Sequence, residues 1–151
     1  MTSRFTMAVH ALGMLACEGD RCPGKALTSE AIARSVNTNP VVVRRVLADL
    51  RRAGLVGTRR GVGGGVALAR PPSKITLRCV WEALEEGEQL FARHPAGPNP
   101  KCPLGLVVAD YLEDLYGHAE DLLKTSLGKV TLAQLQRDIS ARLAAAPTPL
   151  H

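Results

Sequence analysis

Ten basic side chains crowd into residues 34–78: Arg34, Arg44, Arg45, Arg51, Arg52, Arg59, Arg60, Arg70, Lys74 and Arg78, with Asp49 as the lone acid. Residues 1–33 carry three basic and three acidic groups, and residues 79–151 carry six basic and ten acidic ones. The chain's net charge of +5 therefore comes from one central stretch. Such a block points to a polyanionic partner, and arginine's planar fork suits phosphates and guanine edges. An ordinary solvated surface would not separate the signs so completely.

Other reactive residue types are less well organised. The four histidines form no nucleophile–base pattern, no Ser or Cys lies in a glycine-flanked elbow, and no paired carboxylates share a helix face. Glu85-Glu86-Gly87-Glu88 reads as a solvated helix end. These features argue against an enzyme. The run Gly61-Val62-Gly63-Gly64-Gly65 leads into a strand-like segment and Pro71-Pro72 rather than a helix. It also lacks the Gly-Lys-Ser/Thr ending of a nucleotide-binding loop. Cys17 and Cys22, with four residues between them, have no second ligand pair for zinc.

Cys102 stands between Lys101 and Pro103, at the expected cap of a long helix. A helix N-terminus and a neighbouring ammonium both favour thiolate, the reactive form, and a loop gives oxidants access. The competing role is a cysteine that fills the cap and packs a subunit contact. Cys17, at the end of the first helix, is the second candidate thiol. Cys79 falls inside a predicted helix, where cysteine usually serves as a small hydrophobe.

These residues need a scaffold. Of the 151 residues 46% are apolar, yet only five are Phe, Tyr or Trp. Leu, Val, Ile and Ala must then build the core, which suits helices packed on helices. No run approaches the ~20 apolar residues of a membrane span, and polar residues interleave with apolar ones from Thr2 onward, unlike a secretory signal. The expected location is the cytoplasm, where Cys17, Cys22, Cys79 and Cys102 stay thiols.

The spacing of Phe5, Val9, Leu12 and Leu15 predicts a helix over residues 2–18, capped by Thr2 or Ser3. A loop follows over residues 18–25. Thr28 or Ser29 opens a short helix with Ile32, Ala33 and Val36, and Asn37-Thr38-Asn39 ends it. Asn39 is a good N-cap and Pro40 suits the first helical position. Val43, Val46, Leu47 and Leu50 then form an apolar stripe that Gly54 stops. Two short helices with a four-residue turn form a helix-turn-helix. The stripe leaves Thr38, Asn39, Val41, Val42, Arg44 and Arg45 to face the major groove of DNA. Leu55–Arg59 and Val66–Ala69 are strand-like on either side of the glycine-rich turn, making a β-hairpin. It reads as a wing, with Arg59 or Arg60 placed for the minor groove or the backbone.

Ala53-Gly54-Leu55-Val56, Arg60-Gly61, Gly63-Gly64-Gly65, Leu68-Ala69-Arg70-Pro71-Pro72 and Ile75-Thr76-Leu77 together resemble the Rrf-type regulators, the IscR/NsrR/CymR-like family of bacteria. More loosely, the likeness runs from Met1 through Val130-Thr131-Leu132. It implies a mainly α fold with a small β-hairpin wing: a winged helix-turn-helix over residues 1–78 and a helical dimerisation and sensing region over 79–151. Thr76 is expected to cap a helix over Leu77–Glu86, and residues 87–101 form a loop with three prolines. Pro103 opens a helix to about Leu127, with Leu104, Val107, Val108, Tyr111, Leu112, Leu115, Leu122 and Leu123 apolar. A helix of that length outreaches a small domain and leaves apolar surface for a partner, and the resemblance implies that a twin subunit covers it. A closing helix is expected from Leu132 to about Leu143.

Many members of this family hold an iron–sulfur cluster through three cysteines just before the long helix. Here that loop has Cys102 alone, with His94 as an odd second donor, so no cofactor is expected. The sequence fits the subgroup without the triplet, some of whose members look like thiol-based sensors. The leading expectation is a homodimeric repressor of double-stranded DNA, switched by an oxidant at Cys102 or by a small molecule. Its rival is an adaptor that regulates a partner enzyme, which the arginine block argues against.

Overall fold

A computed structural model describes residues 3–21, 25–84 and 90–146. Its elements are α1 (Ser3–Arg21), α2 (Ser29–Val36), α3 (Pro40–Arg52), β1 (Val56–Arg59), β2 (Gly65–Leu68), a 3-10 turn at Pro72–Lys74, α4 (Leu77–Leu84), α5 (Pro103–Gly128) and α6 (Leu132–Ala145). The readings made of Thr2, Cys22, Glu85-Glu86-Gly87-Glu88 and the chain's last five residues lie outside the described residues.

Local chemistry explains most boundaries. Thr28 Oγ1 accepts from the Ala31 amide at 3.1 Å and starts α2. Asn37 ends it in the left-handed region (φ 59°), and the Thr38 amide donates back to the Ala33 carbonyl at 3.1 Å. Asn39 Oδ1 accepts from the Val41 amide at 2.8 Å, with Pro40 in the first helical position. At the other end of α3, the Gly54 amide donates to the Arg51 carbonyl at 2.9 Å and the Leu55 amide to the Leu50 carbonyl at 3.0 Å. This paired closure needs a positive φ, which Gly54 supplies at +72°. α1 runs to Arg21, past the expected end at residue 18, and Lys25 reaches back to pair with Glu18 there at 2.8 Å.

Val43, Val46, Leu47 and Leu50 are buried, as their spacing predicts. They meet Leu12 of α1, Ile32 of α2 and Leu55, all among the most deeply buried side chains. The same core takes in Ile75, Val80, Trp81 and Leu84 of the next segment and Leu132 of α6. Trp81 meets Phe5 edge-on at 5.7 Å between ring centroids. Burying a side chain of this size contributes roughly 1.5–3 kcal/mol, so α4 and α6 add to the core that α1, α2 and α3 build. The Leu77 amide donates to the Val130 carbonyl at 2.9 Å and the Leu132 amide to the Ile75 carbonyl at 2.8 Å, joining the start of α4 to the start of α6.

β1 and β2 pair antiparallel, with Val56 opposite Leu68 and Arg59 opposite Gly65. The second strand starts at Gly65, one residue before the expected Val66, because Gly65 still pairs with Arg59 of β1, and a third segment joins the strand at Val66. Leu27 bridges Val66 through two backbone hydrogen bonds, of 2.9 and 2.8 Å. The wing is thereby tied to the segment that leads into α2. A side chain at Gly65 would put its Cβ 2.3 Å from the Leu27 carbonyl oxygen, so only glycine allows the approach.

α5 has no buried residue. Its 26 residues span about 39 Å at 1.5 Å each. Leu123 and Leu127 pack partly on the core, while Leu104, Val107, Val108, Tyr111, Leu115 and Leu122 stand exposed. The uncovered apolar surface expected from the sequence is therefore present.

Candidate nucleic-acid interface

With its apolar stripe turned inward, α3 presents the rest of its N-terminal half outward. Val41 is 48% exposed, Val42 is half-buried, and Arg44 and Arg45 are exposed. Thr38 and Asn39 lie in the turn just before the helix. The Asn39 side-chain oxygen is engaged as the cap, which leaves its amide nitrogen for other partners. Arg45 has no ion pair among the described residues. Arg44 pairs with Glu30 across the gap to α2.

A groove of about 520 Å³ separates α3 from the wing, lined by Thr28, Glu30, Arg44, Arg51, Thr58 and Gly64 among others. Arg51 Nη1 donates to Thr58 Oγ1 at 3.4 Å across its floor, linking helix to wing. Beyond it, Arg59 and Arg60 are exposed on the way into the hairpin turn. Gly61 and Gly63 take positive φ (+88° and +73°), and Val62 between them is wholly exposed. A Cβ at Gly64 would fall 2.6 Å from the Arg59 carbonyl oxygen, so the tip can only turn this tightly on glycine.

Not every arginine of the basic block is available to a ligand. Arg70 Nη2 donates to the Ala53 carbonyl at 3.2 Å and covers the C-terminal end of α3. Asp49, the block's single acid, pairs with Arg52 on its own helix and with Arg4 of α1. Arg78 pairs with Glu82 at 2.7 Å. Of the others, Arg44, Arg45, Arg51, Arg59 and Arg60 are exposed on α3 and the wing, and Arg34 and Lys74 on α2 and the 3-10 turn. Glu30, Arg51 and Thr58 were not singled out by sequence reasoning. Their roles depend on elements far apart in the chain meeting at the groove, and no local pattern signals that.

Cys102 is the N-cap of α5, as its sequence position suggests, with Sγ accepting from the Gly105 amide at 3.4 Å. It is half-buried beside a cavity of about 340 Å³ lined by Arg93, His94, Pro98, Leu112, Glu113 and Tyr116 among others. Phe91 stacks on Tyr116 at 4.7 Å and Arg93 pairs with Glu113, which fold the loop back onto α5. Cys17 sits half-buried on α1, and Cys79 on α4 accepts from the Thr76 hydroxyl at 3.2 Å. These three thiols occupy three different helices' neighbourhoods.

A family model, Rrf2, described as an iron-dependent transcriptional regulator, matches residues 1–138. The chain belongs to the Rrf2 family. YwnA of Bacillus subtilis, classed with the helix-turn-helix transcriptional regulators, is 34% identical over 139 residues, covering 92% of this chain and 98% of its own. Among solved structures, IscR of T. potens superposes with a TM-score of 0.70 at 21% identity over 98% of this chain and 92% of that one. CymR, the global cysteine regulator of B. subtilis, superposes with a TM-score of 0.66 at 22% identity over 91% of this chain and 95% of that one. These likenesses show the winged-helix fold. This Rrf2 member is a helix-turn-helix transcription regulator and not an enzyme. No helix among the described residues is long and apolar enough to cross a membrane.

The family description names iron. A thiolate-held iron group needs several thiols at one place. Cys102 is engaged at the head of α5, Cys79 with Thr76, and among the described residues no three His, Cys, Asp or Glu side chains stand together. These residues do not fit such a group.

Proposed function

We propose that the protein is a cytoplasmic, sequence-specific repressor that binds double-stranded DNA as a homodimer. Residues 1–78 are the DNA-binding part and 79–151 the dimerisation and sensing part. The observation that carries this reading is the exposure of Arg44 and Arg45 on α3 and of Arg59 and Arg60 at the wing, with a groove lined by Arg44 and Arg51 between helix and wing. Thr38, Asn39, Val41, Val42, Arg44 and Arg45 enter the major groove; Val41 has the apolar surface that thymine methyl groups favour. Arg59 and Arg60 reach the adjacent minor groove or the phosphates. Twin α5 helices cover each other's exposed leucines and valines and set the spacing of the two α3 helices on their half-sites.

Oxidation of Cys102 is the proposed switch, with Cys17 as the second thiol. An adduct at the head of α5 would shift that helix and with it the half-site spacing. The cavity beside Cys102 supports a second reading, in which a small molecule bound there shifts the same helix. Selecting preferred duplexes from a random pool, with thiol-reduced and peroxide-treated protein in parallel, tests both parts. An enriched two-fold-symmetric sequence with reduced protein, lost after peroxide, supports the reading. No enrichment in either state refutes the DNA-binding assignment, and equal enrichment in both refutes the thiol switch.

A further inference from the structure

The geometry points to Glu30 as the positioning residue that turns Arg44 from a general phosphate contact into a reader of one guanine. This rests on the DNA-binding reading above and specifies what the groove recognises. Glu30 lies in the first turn of α2, with Arg44 in the second turn of α3, and the two helices bring them together across the groove. The carboxylate is held from two sides. Its Oε1 accepts from Arg44 Nη2, and its Oε2 accepts from the Ser29 hydroxyl at 3.2 Å. Both side chains remain about half exposed, 52% for Glu30 and 55% for Arg44, so the pair borders the surface that would meet DNA.

An acid at this place needs a reason, since a carboxylate facing phosphates is repelled. Pairing supplies one. The Glu30–Arg44 unit is neutral overall, so it does little for the charge neutralisation that drives general DNA affinity. What it keeps is direction. A guanidinium has five donors in a rigid fork, and one N–H given to Glu30 leaves enough to engage guanine O6 and N7 together. The carboxylate fixes the fork before DNA arrives, which reduces the ordering that recognition would otherwise require. Arg45, on the same helix, has no such partner among the described residues. The Glu30 backbone amide first, then the Arg44 guanidinium, hold the Glu30 carboxyl below the usual carboxylate range, so it stays a carboxylate at neutral pH.

The test uses the full chain and the duplex it selects, with each base pair of one half-site substituted in turn. Arg44→Ala should lower discrimination at one G·C pair by roughly 5- to 150-fold, the equivalent of a bidentate guanine contact. Glu30→Ala should lower discrimination at the same pair by roughly two- to fivefold, what an exposed ion pair is worth, and should have no further effect when Arg44 is already alanine. Affinity for random duplex should hold or rise in Glu30→Ala, because a negative charge has gone and Arg44 is freed for phosphate. Glu30→Gln, which keeps an acceptor oxygen, should retain part of the discrimination. A merely structural role for Glu30 would lower specific and random binding together and leave the base profile intact; that result overturns the proposal. An effect of Glu30→Ala that persists in the Arg44→Ala background overturns it too. If the unaltered protein selects no sequence at all, both the DNA-binding reading and this one fall; an unchanged profile on a selected sequence removes this one alone.

Discussion

Replacing Gly65 by alanine should lift the wing off the body of the domain. Its φ of +145° lies in a region that alanine enters only with strain of about 1–3 kcal/mol. The new Cβ would sit 2.3 Å from the Leu27 carbonyl oxygen and 2.6 Å from its carbon, backbone atoms that no side-chain rotation can clear. The strands must therefore part, opening the Leu27–Val66 bonds of 2.9 and 2.8 Å. Each such bond is worth about 0.5–1.5 kcal/mol net. Together the loss is roughly 2–6 kcal/mol, against the ~5–15 kcal/mol total of a typical domain. Thermal unfolding at fixed protein concentration should show Tm lowered by roughly 5–20 °C. Gly57→Ala is the control: Gly57 lies in β1 with nothing within 4 Å of its Cβ position and no positive φ. Operator affinity should fall with Gly65→Ala and hold with Gly57→Ala, because Arg59 and Arg60 ride on the displaced hairpin. Equal melting of the two variants with equal operator binding would refute the claim that the Leu27 bridge anchors the wing.

Arg45→Ala should relax preference at one base position or weaken all sequences alike, according to whether it meets a base edge, whereas Arg59→Ala and Arg60→Ala should weaken all sequences or those with a narrow minor groove. Titrating the four arginine variants, Arg44→Ala included, against single-base operator variants measures this, and unchanged affinity in all of them would mean that the reading head is misplaced. Leu112→Glu and Leu115→Glu put a charge into the proposed twin-helix seam; sedimentation should show monomer with the fold kept and operator binding lost, and a surviving dimer would place the interface elsewhere. Cys102→Ser should bind operator normally and lose the peroxide response; alkylation of Cys102 in the unaltered protein no faster than in an unstructured cysteine peptide would remove the thiol switch.

Much of the scaffold could be read from the residues because its signals are local. Asn39-Pro40 starts α3, Gly54 stops it, and the four apolar positions between them face inward. Thr76, Cys102 and Thr131 likewise announce helix starts, since each side chain accepts from an amide three residues on. What escaped was long-range. The Leu27–Val66 bridge is made by backbone atoms, so no side-chain period reveals it. Charge counting treats ten basic residues alike, yet Arg70 covers a helix end and Arg52 is bound to Asp49. The Arg44–Glu30 pair depends on the α2–α3 crossing, which spacing along the chain does not specify.

The most direct test of DNA binding by the arginine-lined groove is the salt dependence of affinity for a selected operator. If about 6–10 phosphates are neutralised per dimer, log K should fall against log salt with a slope of about −5 to −9. Arg60→Ala, if Arg60 meets phosphate, should make that slope shallower by about 1 for each phosphate no longer neutralised. A slope near zero, or one that ignores every arginine of α3 and the wing, would contradict the account.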